Sequence, residues 1–135
     1  MPSRSALVGN PINTANAVLG YVTAVSLITA AAGTSQGGYK MPTDMVVVTA
    51  ANGSNTAVTL PDPFLQNWNV GDYYEVVNGT SQALVVFPPT GGVINGASAN
   101  ASVALPAATT TNNAAARFYI TVVASGASVF TFTAG

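Results

Sequence analysis

Residues Gly71–Gly96 read GDYYEVVNGTSQALVVFPPTGGVING, and the reading of this stretch decides the fold. Tyr73–Asn78 (YYEVVN) is aromatic and β-branched and is bounded by Gly-Asp and Asn-Gly, which is strand composition between turn residues. Asn78–Gln82 (NGTSQ) reads as a hairpin loop, so Ala83–Pro88 (ALVVFP) is expected to pair back on the preceding strand. Pro88 and Pro89 then stop the ladder, because neither has an N–H to donate. Thr90-Gly91-Gly92 supplies a turn, with positive φ expected at Gly91 or Gly92. Val93 and Ile94 re-enter the core, Ile94 as a buried residue, and Asn95-Gly96 bends the chain again. A phosphate cradle is the competing reading. Neither Gly33–Gly38 (GTSQGG) nor Gly91–Gly96 (GGVING) matches a Walker loop or a dinucleotide fingerprint, and neither leads into a helix or a lysine.

The same grammar extends in both directions. Asp44–Ala50 (DMVVVTA) is a nearly continuous apolar run, as in a strand covered on both faces. Ala50–Asn55 is a turn, and Thr56–Pro61 (TAVTLP) alternates with Val58 and Leu60 on one face. Asp62–Asp72 (DPFLQNWNVGD) is a longer connection holding the sole tryptophan, Trp68. Downstream, Ala101–Ala107 places Val103 and Leu105 together, and Ala108–Ala116 reads as a polar loop. Arg117–Val123 aligns Phe118, Ile120 and Val122 on one face. Ala124–Ser128 turns the chain, and Val129–Gly135 aligns Phe130 and Phe132. About eight short strands at regular spacing predict an all-β domain, a sandwich or a jelly-roll-like barrel.

At 135 residues the chain has the length of one domain. Charged residues make up 5% of it, against about 25% in ordinary domains. Hydrophobic residues reach 49%, so disorder is not expected. A surface of Ala, Ser, Thr, Asn and Gly fits a subunit that hides much of itself in a symmetric assembly. Three cations cannot neutralise a phosphate backbone, so nucleic acid is not an expected partner.

Chemistry is also constrained by what the chain holds. With no histidine and no cysteine, a serine nucleophile lacks its usual base and a thiolate site cannot form. Asp72 and Glu75 could meet in a turn, but a calcium site takes about six to eight oxygen ligands. The better reading is Asp72 capping the preceding turn and Glu75 facing solvent. No enzymatic activity, metal or cofactor is expected.

Ala17–Gly33 (AVLGYVTAVSLITAAAG) looks at first like a membrane span or a signal core. Gly20, Thr23, Ser26 and Thr29 interrupt it, and Ala dominates, so a span is not expected. A short helix or turn near Asn13–Val22 followed by an extended strand is the preferred reading. Residues 1–29 are expected to form an arm and residues 30–135 the β domain.

Gly71–Gly96 also resembles a group of small structural proteins of tailed bacteriophages. Their pattern is a Gly-Asp start, a Val-x-Asn strand end, a Leu-x-Val-x-Pro-Pro strand and turn, and Ile-Asn-Gly. Ala30–Gln36 (AAAGTSQ) and Val58–Pro61 (VTLP) look like the same group, and the similarity runs over Ala30–Ala107. The final strand departs from the group in lacking a tryptophan. The resemblance implies a virion subunit, most like a capsid decoration (cement) protein that binds the outer capsid surface and stabilises the head. It implies a homotrimer with the major capsid protein as partner. Arg4, Leu7, Val8, Ile12 and Tyr21 in the arm are the expected capsid or subunit contacts. The alternative is a phage fibre, spike or tail module that binds a host surface glycan, with Asp62–Asp72 as its binding loop.

Overall fold

The computed structural model describes residues 25–28, 31–42 and 44–134. Among them are nine strands: β1 (Val25–Ile28), β2 (Met45–Val48), β3 (Ala57–Thr59), β4 (Tyr73–Asn78), β5 (Leu84–Phe87), β6 (Val93–Ile94), β7 (Val103–Leu105), β8 (Ala114–Val122) and β9 (Val129–Ala134). They form a six-stranded sheet in the order β1-β2-β4-β8-β9-β6 and a three-stranded sheet in the order β3-β5-β7. The fold is therefore all-β with two sheets, as the strand spacing predicts. The extended strand expected after Val22 is β1, at one edge of the large sheet. The segment Asn13–Val22 lies outside the described residues.

From β2 to β8 the chain alternates between the sheets, one strand in the large sheet and the next in the small one. As far as β6, each strand returns to a sheet only after a traverse of the other, and successive visits run in the same direction. β1, β2 and β4 are parallel neighbours, and so are β3 and β5. Lys40 continues this winding as a parallel bridge to Thr59 at the edge of β3. The last strands close the sheets differently: β4–β8, β8–β9 and β5–β7 are antiparallel.

This winding corrects the hairpin expected at Asn78–Gln82. β4 and β5 do not pair; they lie in different sheets. Tyr74, Val76 and Asn78 face the core from one sheet, and Leu84 and Val86 face it from the other. Alternation is satisfied equally by a hairpin or by a crossover, and here the corner chemistry of Asn78 decides. Its Nδ2 donates to Gln82 O and Pro106 O at 2.8 Å each. Its Oδ1 accepts from Thr80 N and Thr80 Oγ1 at 2.9 and 2.8 Å. Asn78 is fully buried with all four bonds made, so the loop is pinned as a step between layers.

The core is apolar and aromatic. Tyr74, Phe118, Phe130, Leu60, Leu84, Ile94, Leu105 and Ile120 are all buried. Burying side chains of this size contributes roughly 2 kcal/mol each, so packing rather than ion pairing holds the domain. Phe118 sits opposite Phe132 in register, and their rings stack at 5.0 Å. Two details differ from expectation in β8. Ala114–Ala116 belong to the strand rather than to the polar loop, because they pair with Val76–Asn78. Val122 does not share the inward face of Phe118 and Ile120. The register shifts between Ile120 and Val122, and this bulge turns Val122 outward.

The corner at Pro88–Gly96 forms as expected, except that Val93 is only half-buried while Ile94 alone enters the core. Pro88, Pro89 and Ile94 are buried, Gly91 has φ +81°, and Asn95 and Gly96 have φ +52° and +71°. β6 then runs parallel to β9, and Asn95 Oδ1 accepts from Phe132 N at 2.8 Å, prolonging that ladder.

Candidate interaction surfaces

The residues of the phage-like pattern come together as scaffold. Gln36 Nε2 donates to Pro88 O at 2.8 Å and to Asn100 Oδ1 at 3.0 Å. Asn100 Oδ1 also accepts from Gly91 N at 2.6 Å, and Asn100 N donates to Gly92 O. The segment containing Gln36 is thereby fastened to the Pro-Pro corner more than fifty positions away. Asn78, Pro88, Gly91, Ile94 and Asn95 shape the backbone, and their polar atoms bond main-chain groups or buried neighbours.

Two surfaces remain. The first is the outer face of the large sheet, where strand alternation projects Met45 and Val47 from β2, Tyr73, Glu75 and Val77 from β4, Arg117 and Tyr119 from β8, and Thr131 and Thr133 from β9. Tyr73 and Tyr119 are cross-strand partners with ring centroids 5.2 Å apart. Arg117 Nε donates to Glu75 Oε2 at 2.7 Å, and its guanidinium lies 5.0 Å over the Tyr73 ring. The hydrogen bond to Glu75 raises the Arg117 pKa, so this cation keeps its charge at any accessible pH. Glu75 is thus an ion-paired residue rather than a free solvent-facing one.

The second surface is the Asp62–Asp72 connection. Asp62 Oδ1 accepts from Phe64 N, Gln66 N donates to Asp62 O, and Trp68 N donates to Pro63 O. Asp72 Oδ2 accepts from Asn69 N at 2.9 Å, so Asp72 caps the preceding turn as expected. The loop is fastened from below as well. Trp68 packs against Tyr74 at 5.2 Å, and Tyr74 OH donates to Gln66 Oε1 at 3.2 Å. Gly71 N donates to Ile120 O, which carries Val70 alongside the end of β8. The result is a rigid loop that presents Phe64, Leu65 and Val70 to solvent at 47%, 76% and 64% exposure. Val122, at the β8 bulge, is the remaining exposed large hydrophobic among the described residues. Sequence reasoning named the loop but missed these side chains. Their signal was that Phe64 and Leu65 fit no strand alternation.

This geometry bears on the glycan alternative. Trp68 is half-buried with its ring packed on Tyr74, and Gln66, though exposed, has its Oε1 taken up by Tyr74 OH. The carboxylates of Asp62 and Asp72 accept from the loop's own backbone. Outward the loop offers Phe64, Leu65 and Val70, together with the exposed amides Gln66, Asn67 and Asn69. Arg4, Leu7, Val8, Ile12 and Tyr21, the expected arm contacts, lie outside the described residues.

Asp44 sits beneath this end of the sandwich, where its carbonyl accepts from Glu75 N. Its side chain is buried, Oδ2 has no hydrogen-bond partner among the described residues, and burial pushes its pKa up. A carboxyl with a raised folded-state pKa contributes stability that is fully present below the unfolded value and is lost as pH rises through the folded value. Asp44→Asn is therefore expected to be more stable than the parent at neutral pH. That advantage should shrink as pH is lowered through the carboxylate range, which thermal unfolding between pH 7 and pH 3.5 measures. Burial, with further contributions from Asp62, Asp44 and Asp72, likewise raises the pKa of Tyr74.

No family model, curated protein or solved structure matches the chain.

Proposed function

We propose that the protein is a non-enzymatic virion subunit that binds the outer capsid surface as a decoration (cement) protein and works as a homotrimer. The observation that carries this reading is the outer face of the large sheet. It is broad, bears two tyrosines and several threonines, and holds one charge of each sign, already paired within the subunit. Burying an unpaired charge is costly, and this face leaves none unpaired when a second surface covers it. Tyrosine suits such a contact, with an apolar ring and a polar tip. The phage-like pattern supports the same reading, because its residues build the corner and staple that hold the two sheets.

The role in this reading is mechanical. A rigid sandwich that bridges neighbouring capsid subunits adds contact area across their boundaries and so resists the outward pressure of packaged DNA. The charge-poor chain serves this by offering surfaces that dehydrate at low cost. Attachment of the purified protein to heads that lack it is the direct test. Saturable attachment supports the reading, and retention in the supernatant at every concentration overturns it.

A further inference from the structure

We propose that the Asp62–Asp72 loop, with Val122 beside it, is the surface that seats the subunit on the shell, and that it takes a protein surface with an apolar depression bordered by Lys or Arg. The inference rests on the proposed decoration role and names the part of the molecule that performs it. Three independent observations lead to it.

The first is where the apolar exposure falls. Phe64, Leu65, Val70 and Val122 are all the exposed large hydrophobic side chains among the described residues. They belong to one loop and to the strand end that the loop hydrogen-bonds through Gly71 and Ile120. Scattered single exposures are ordinary, whereas a grouped set marks a contact site. The second is rigidity. The Asp62 and Asp72 turns and the Trp68–Tyr74 packing hold the loop in one shape before any partner arrives. A preorganised loop loses less freedom on docking, so more of its contact energy appears as affinity.

The third is charge. Asp62 and Asp72 bracket the loop, and Asp44 lies in the adjacent strand entry, where its carbonyl meets Glu75 N. Among the described residues the one ion pair is Arg117–Glu75, and none of these three carboxylates has a cation partner there. Asp62 and Asp72, two of the chain's four acids, thus border the exposed apolar side chains of the loop, and the buried Asp44 lies below them. Its complement is apolar at the centre and basic at the rim, since opposite charges at a rim steer encounter and fix register. A second copy of this chain is a poor complement. It has three cations in all, and its Arg117 is already held by Glu75.

The test compares the full-length protein with the double variant Leu65→Ser/Val70→Ser, both sites being well exposed. Ala104→Ser, an exposed site on β7 in the other sheet, is the control. Each is sedimented with purified heads lacking the protein, at low and at raised salt, and its mass in solution and its unfolding temperature are measured. The double variant is expected to keep the parent's mass and unfolding temperature and to attach at least about tenfold more weakly. The control should attach like the parent, and salt should weaken the parent's attachment. Parent-like attachment of the double variant overturns the inference while leaving the decoration role standing. A drop in its mass also overturns it, because the loop then joins copies of the chain. If the parent itself fails to attach, the decoration role fails and this inference falls with it.

Discussion

Replacing Asn78 with alanine is expected to lower the stability of the domain by about 3 kcal/mol, one of the largest effects of any single polar substitution in the chain. The side chain is fully buried and makes four hydrogen bonds, two to carbonyls in separate segments and two from Thr80. Alanine removes the donor to Gln82 O and Pro106 O and leaves Thr80 N without its acceptor. Each buried polar group left unsatisfied costs about 1–3 kcal/mol. Thr80 Oγ1 keeps Gln82 O as a partner, so the loss is not the sum of all four. Asn78→Asp keeps the acceptor but turns a carboxylate toward two carbonyls, and should be at least as damaging. Urea unfolding at a fixed protein concentration measures the difference. A loss below about 1 kcal/mol would show that the corner is held by packing alone.

Gly91→Ala is expected to be comparably severe, at roughly 3 kcal/mol, or about 10 °C in unfolding temperature for a domain of this size. Two causes act together. Gly91 has φ +81°, where an L side chain is strained. A Cβ at that position would also lie 1.9 Å from Gly126 O, a backbone atom that no rotamer change can move. The Pro88–Gly92 corner and the Ala124–Ser128 turn are packed main chain against main chain, so one of them must shift. Gly96→Ala separates the causes. Gly96 has φ +71° with open space around it, so only the conformational cost, about 1–2 kcal/mol, should appear. Equal losses at the two glycines would mean that the close approach to Gly126 contributes nothing.

Much of the fold can be read from local pattern. Alternation in Tyr73–Asn78, Leu84–Phe87 and Val129–Ala134 sets which side chains face inward, and the structure keeps those faces. The Pro-Pro and Gly-Gly punctuation marks the corner because proline lacks a donor and glycine reaches positive φ. Partner choice is another matter. An inward-facing strand satisfies its alternation in either sheet, so β4 and β5 read as a hairpin although they belong to opposite layers. What settles the crossover is a contact between Asn78 and Pro106, and separation of that order leaves no local trace. The Gln36–Pro88 staple is hidden for the same reason. Val122 was misplaced because one bulge reverses the face of every later residue in the strand.

The interaction surfaces were less legible than the scaffold. Composition showed that charge is scarce but not where it falls. Only the folded chain brings Asp44 beside the Asp62–Asp72 loop, from a strand entry 18 positions before Asp62. Phe64 and Leu65 look like ordinary loop residues in sequence. Their exposure follows from the Asp62 turn beneath them and from Trp68, which takes the inward position instead.

The most direct test of the decoration role is a competition between two targets. Labelled protein is mixed with purified heads that lack it and with envelope fragments of the host, and the two are separated by density. Saturable recovery with the heads, and none with the envelopes, is the expected result. Recovery with the envelopes, released by soluble host polysaccharide, would contradict the decoration role and support the glycan-binding alternative.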